Sequence, residues 1–139
     1  MRPLVLDSTA LDQLARSRGL EHTSPGRVHA ALRGALQADA QVFVPAAVLS
    51  ELYRGATHDQ AVDACLGRHG QITVADTTRS LARHIGHLLA AAKVGSEHHV
   101  DAAVVATALN AGGGLILTGD PDDLSSLAAG HPRINIEGI

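Results

Sequence analysis

The chain has 139 residues, 45% hydrophobic and 18% charged, the balance of one globular domain with room for a real core. A net charge of -3, with Phe43 and Tyr53 the only aromatics, argues against a basic nucleic-acid-binding surface and against a stacking platform for bases. The single Cys65 rules out an internal disulfide framework and a Cys-based zinc cluster. No apolar run nears the ~20 residues of a membrane span, and the start lacks a signal-peptide pattern. The expectation is a reducing, cytoplasmic setting without membrane attachment.

In chain order, Pro3-Leu4-Val5-Leu6 is a short continuous apolar run, the pattern of a buried parallel strand. Asp7-Ser8-Thr9 follows, three residues that favour helix N-caps, and Leu11, Leu14 and Ala15 recur at helical spacing. Gly19 to Gly26 reads as a loop, with Ser24 as a cap and Pro25 as the first helical residue. Val28, Ala31, Leu32 and Leu36 form a helical stripe. Val42-Phe43-Val44 is a second strand closed by Pro45, from which a helix carries Val48, Leu49 and Leu52 inward and ends near Gly55. His58 to Leu66 reads as helix, with Cys65 on its apolar face. Ile72-Thr73-Val74 is a third strand. Asp76 or Thr77 is expected to cap a long helix with Leu81, Ile85, Leu88, Leu89 and Ala92 on one face. Ser96 is expected to cap a helix from about Glu97 to Asn110, stopped by Gly112-Gly113-Gly114. Leu115-Ile116-Leu117 is a fourth strand, Asp120-Pro121 opens a helix with Leu124 and Leu127 inward, and Ile134-Asn135-Ile136 is an edge strand. Alternating strands and helices predict a parallel sheet with helices on both faces. Without linker, repeat or low-complexity segment, residues 1–139 read as one domain.

Four acids stand out. In open parallel sheets, sites form beyond the carboxyl ends of strands. Asp7 follows the first strand and Asp120 the fourth. Glu51 lies on the helix after the second strand, and Asp101 near the start of the helix opening at Ser96. If the first and fourth strands are parallel neighbours, Asp7 and Asp120 converge. No Lys or Arg lies within three residues of Asp7, Asp101 or Asp120, although Arg54 is near Glu51. Acids in apolar segments without bases call for an external cation. Hard oxygen ligands select Mg²⁺ or Mn²⁺ over zinc. Each acid also has a plain reading: Asp7 and Asp120 as caps, Asp123 at a capping-box-like position, Asp101 as first-turn dipole compensation, Glu51 as a solvated or Arg54-paired group. Only the set of four favours a site. Ser8 and Thr118 flank two of the acids and could orient a carboxylate. His98-His99, just before Asp101, allows a transition-metal site, but with nine His in the chain it reads rather as a solvated pair.

These residues resemble the PIN-domain ribonucleases, in particular the VapC-type toxins of bacterial toxin–antitoxin pairs. Leu4-Val5-Leu6-Asp7-Ser8 is similar to the family's first acidic motif, and Pro45-Ala46-Ala47-Val48-Leu49-Ser50-Glu51-Leu52 to the second. Asp101-Ala102-Ala103-Val104-Val105-Ala106-Thr107-Ala108 is similar to the third, and Leu117-Thr118-Gly119-Asp120-Pro121-Asp122-Asp123-Leu124 to the fourth. The resemblance implies a three-layer α/β/α sandwich around a parallel sheet and a Mg²⁺- or Mn²⁺-dependent endoribonuclease. It carries over Asp7, Glu51, Asp101 and Asp120 as the catalytic acids, with Asp7, Asp101 and Asp120 holding metal. Thr118, Ser8 and Asp123 are supporting residues. It further implies an RNA substrate, a homodimer and a cognate VapB-type antitoxin.

The rival readings are a metal-dependent phosphohydrolase and a noncatalytic binding module of the same fold. A phosphorylated-Asp receiver needs an acidic pair on the first strand and a lysine late in the sheet, but Asp7 stands alone and Lys93 lies on a predicted helix. A haloacid-dehalogenase-like phosphatase needs an Asp two residues after Asp7, where Thr9 stands.

Overall fold

A computed structural model describes residues 2–16 and 26–139. Most of the expected loop from Gly19, and the Ser24-Pro25 cap, lie outside the described residues. The elements are β1 (Leu4–Leu6), α1 (Ser8–Arg16), α2 (Gly26–Gln37), β2 (Val42–Pro45), α3 (Ala46–Leu52), α4 (Ala56–Arg68) and β3 (Ile72–Ala75). After them come α5 (Arg79–Ala92), a 3₁₀ turn (Ser96–His98), α6 (His99–Asn110), β4 (Gly114–Thr118), α7 (Pro121–Leu127) and β5 (Ile134–Gly138).

The five strands form one sheet in the order β3-β2-β1-β4-β5, and every pair is parallel. The chain builds outward from β1 to β2 and β3, then crosses back to lay β4 and β5 on the other side. The crevice between β1 and β4 is therefore the point where strand order reverses, the usual place for a site in an open α/β sheet. Helices cover both faces, giving the α/β/α architecture. On one face α1 packs against α2, α3 and α4; on the other, α6 lies between the sheet and α5 and α7.

The central strands read as apolar runs because both faces are covered. Leu4, Val5 and Leu6 are all buried, as are Val42, Val44, Ile116 and Leu117. The edge strands are less buried: β5 alternates between half-buried and exposed residues, and β3 is half-buried only at its two ends. α6 is buried on every side: Ala102 through Ala108 are all shielded from water. A helix with no polar face belongs in the core, and its small side chains allow the sheet and α5 to approach closely. Cys65 is fully buried in the core, and burial pushes its thiol pKa up. The apolar stripe Leu81, Ile85, Leu88 packs inward against α6. No helix among the described residues is long and apolar enough to cross a membrane.

Two helix starts differ from the sequence expectation. α5 is capped by Thr78, not Asp76 or Thr77; the Thr78 hydroxyl oxygen accepts a hydrogen bond from the Leu81 N–H at 3.1 Å. Three successive cap-competent residues leave the choice to packing, and the start at Arg79 phases Leu81 and Ile85 inward. Ser96 does not cap α6. Ser96–His98 forms a 3₁₀ turn, and α6 starts at His99 with His98 at its N-cap position and no side-chain cap bond.

Truncating a central side chain should be costly and truncating a surface one nearly free. Leu6→Ala is expected to lose about 2–5 kcal/mol in urea unfolding. Leu36→Ala, at a site 63% exposed, should stay within about 0.5 kcal/mol.

Candidate metal centre

The register of β1 on β4 pairs Leu6 with Leu117, which brings Asp7, the next residue, beside the exit of β4. The Asp7 carboxylate is used on both oxygens. Oδ1 accepts a hydrogen bond from the Ala10 N–H at 2.9 Å, capping α1, and Oδ2 accepts from the Gly119 N–H at 3.2 Å. The cap is thus real and compatible with a second role, because each carboxylate oxygen keeps another lone pair. Asp7 is 5% exposed, and a buried carboxylate with no cation is costly.

Gly119 makes this approach possible. A Cβ there would lie 2.6 Å from Thr9 Oγ1 and 2.8 Å from Thr9 Cβ, so the β4 exit passes too close to α1 for any side chain. Thr118 is fully buried, and its hydroxyl oxygen accepts the Asp120 N–H at 2.8 Å. That bond sets the turn that presents Asp120. Ser8, the first residue of α1, is half-buried, and its hydroxyl makes no hydrogen bond to Asp7 or Asp120.

Asp101 reaches the same edge from the opposite face. The C-terminus of α6 leads through a tight glycine turn into the start of β4, so its N-terminus lies at the carboxyl end of the sheet. Asp101 stands in that first turn, where the helix dipole favours an anion. The net effect is opposite: its pKa is pushed up to about 6, by partial burial first and then by the charges of Asp120, Asp123, Asp7 and Glu51. Desolvation and nearby acids outweigh the dipole. The other three sequence-derived acids, and Asp123, thus lie near enough to act on Asp101 by charge.

Asp120 occupies the N-cap position of α7 without making the side-chain cap bond. The neighbouring Asp123 carboxyl raises its pKa. Acids this close repel when both are ionised, which a proton or a cation relieves. Glu51 is exposed at the end of α3. Arg54 does not pair with its carboxylate; the Arg54 Nε–H donates to the Glu51 backbone carbonyl. Among the described residues no Lys or Arg forms an ion pair with any of the five acids.

One neighbour escaped the sequence reading. His98 is not solvated with His99: its side chain is 29% exposed and turned to Asp101, with Nδ1 3.9 Å from Asp101 Oδ2, whereas His99 is exposed. The i,i+3 spacing ahead of Asp101 at a helix start was the available signal. Ligand atoms of His98, Asp101 and Asp123 all lie within 4.8 Å of one another. The donors are carboxylate oxygens with one imidazole nitrogen, the chemistry a divalent cation requires. The unpartnered acids and the closeness of Asp120 to Asp123 fit such an ion.

Comparison with known proteins agrees with this geometry. Residues 20–130 match the PIN domain family. The chain belongs to that family. Two solved structures share its fold over 99% of this chain and 98% of theirs. VapBC2 from Rickettsia felis, bound to a DNA fragment from its promoter, has a TM-score of 0.66 at 12% identity. DNA-bound VapBC from Salmonella typhimurium has a TM-score of 0.65 at 18% identity. No curated protein sequence matches the chain.

Two predictions follow from the crowding of acids. A carboxyl whose pKa rises on folding stabilises the fold at low pH, and that contribution is lost as pH climbs through the folded value. For Asp101 the window runs from its ordinary range, about 4, up to about 6. In EDTA the protein should melt a few degrees lower at pH 7.5 than at pH 5, and Asp101→Asn should shrink that difference; an unchanged difference would remove Asp101 as its source. Gly119→Ala should cost roughly 1–3 kcal/mol in urea unfolding through its clash with Thr9.

Proposed function

We propose that this PIN-domain chain is a Mg²⁺- or Mn²⁺-dependent endoribonuclease, the VapC-type toxin of a toxin–antitoxin pair. The observation that supports the reading is that Asp7, Glu51, Asp120 and Asp123 all act by charge on Asp101, while no Lys or Arg among the described residues forms an ion pair with them. A net charge of -3 gives RNA little reason to approach unless bound cations supply local positive charge.

Asp7, Asp101 and Asp120 would hold the ion, with Asp123 beside Asp120. The bound ion supplies Lewis acidity toward a phosphoryl oxygen and toward the attacking water. Asp7 is oriented by its two backbone hydrogen bonds, so it binds without first giving up rotamer freedom. Asp101 is fixed by the buried helix beneath it. Thr118 holds the turn that aims Asp120. Glu51, exposed and without an ion pair among the described residues, would complete the cage or take the proton of the attacking water. Attack by external water leaves the ribose 2′-hydroxyl unused, so the products carry 5′-phosphate and 3′-hydroxyl ends.

The partners follow from the same reading. The two structural neighbours are VapBC complexes, which supports a VapB-type antitoxin as partner; a homodimer is what the family resemblance implies. A cytoplasmic setting suits the buried free thiol of Cys65.

The test is cleavage of a short RNA by the purified, antitoxin-free protein with Mg²⁺ or Mn²⁺ and with EDTA. Metal-dependent cleavage leaving 5′-phosphate ends is expected, and 2′,3′-cyclic phosphate ends would contradict the mechanism. Turnover of p-nitrophenyl phosphate without RNA cleavage would favour a phosphohydrolase. Asp101→Asn should lower cleavage by at least about a hundredfold, since losing even an outer-shell partner of a metal ligand costs 10–100-fold, while its Tm in EDTA at pH 7.5 holds or rises. Asp7→Asn is a poorer probe, because its amide would turn a donor toward the Ala10 or Gly119 N–H.

A further inference from the structure

We propose that His98 supplies a nitrogen ligand through Nδ1 to the ion that Asp101 would hold, on the side where Asp123 stands, giving the centre a preference for Mn²⁺ over Mg²⁺. The inference rests on the acidic cluster being a metal site and adds to it a residue outside the four acids.

His98 is set by the local backbone. The 3₁₀ turn Ser96–His98 hands over directly to α6, placing His98 at the N-cap position, three residues before Asp101 and on the same side. Its imidazole makes no cap bond to the helix. Its partner is the Asp101 carboxylate, with 3.9 Å between Nδ1 and Oδ2. That distance is too long for a direct hydrogen bond and leaves space between the two groups. With metal–ligand bonds of about 2.0–2.2 Å, adjacent octahedral ligands lie about 3 Å apart and opposite ones about 4.2 Å apart. The ligand atoms of His98, Asp101 and Asp123, all within 4.8 Å of one another, close onto such an ion with shifts of at most about 2 Å, within the reach of side-chain rotation.

Donor type then decides selectivity. Mg²⁺ takes oxygen ligands and retains its waters, so an imidazole adds little to its binding. First-row transition ions gain from nitrogen, and Mn²⁺ also accepts the carboxylates around it. His99, exposed, has no such geometry.

The experiment measures Mn²⁺ and Mg²⁺ binding to the metal-stripped full chain and to the His98→Gln and Asp101→Asn variants. Mn²⁺ electron spin echo spectra of wild-type protein with ¹⁴N- or ¹⁵N-histidine serve as a check that needs no variant. Wild type should bind Mn²⁺ at least about tenfold more tightly than Mg²⁺. His98→Gln should weaken Mn²⁺ about tenfold and Mg²⁺ less than about threefold. The histidine nitrogen modulation should change with isotope. Unchanged Mn²⁺ affinity in His98→Gln together with no nitrogen modulation overturns the role of His98. If Asp101→Asn still abolishes Mn²⁺ binding in that case, the acidic centre stands and only the His98 ligand falls. If Asp101→Asn binds Mn²⁺ as wild type does, the metal centre itself is wrong.

Discussion

A single carboxylate ties together three parts of the chain. Asp7 ends β1, caps α1 through the Ala10 N–H and binds the Gly119 N–H at the exit of β4. Without those two bonds the β1/β4 crevice would have no fixed floor, and Asp120 would not be brought toward Asp101. The arrangement also accounts for the glycine at 119: the bond requires β4 to pass so close to Thr9 that no Cβ fits.

The site is assembled against its own electrostatics. Among the described residues no arginine or lysine pairs with these five acids, and Asp101 shows the strain in a pKa raised to about 6. Hydrophobic burial elsewhere has to offset this repulsion. α6 and the central strands provide it, with their side chains almost wholly removed from water. Stability and chemistry are therefore separated in space: the core holds the frame, and the carboxyl edge carries the conflict that a divalent ion relieves.

Much of this was legible in the sequence because the signals are local. Apolar runs at Leu4–Leu6 and Leu115–Leu117, the helical stripe from Leu81, and acids without nearby bases each show within a few residues. Strand neighbours were legible only as a condition, that β1 and β4 be adjacent and parallel, which the register satisfies. What escaped depends on geometry between segments. The cap at Thr78 instead of its two neighbours is set by the phase of Leu81 against α6. Asp120 stands at the N-cap position of α7 yet makes no side-chain cap bond. His98 looked like half of a solvated pair because only the 3₁₀ turn at Ser96–His98, invisible in composition, separates its direction from that of His99.

The helix under Asp101 has no free face. Seven consecutive residues, Ala102–Ala108, touch only protein, so substitutions on the solvent-facing helices leave its seat undisturbed. A lineage can rewrite most of its exterior and still deliver one acid to the same spot. Sharing a fold with two solved structures at 12% and 18% identity is what such an inward-facing post permits: outward drift is cheap and leaves the frame in place.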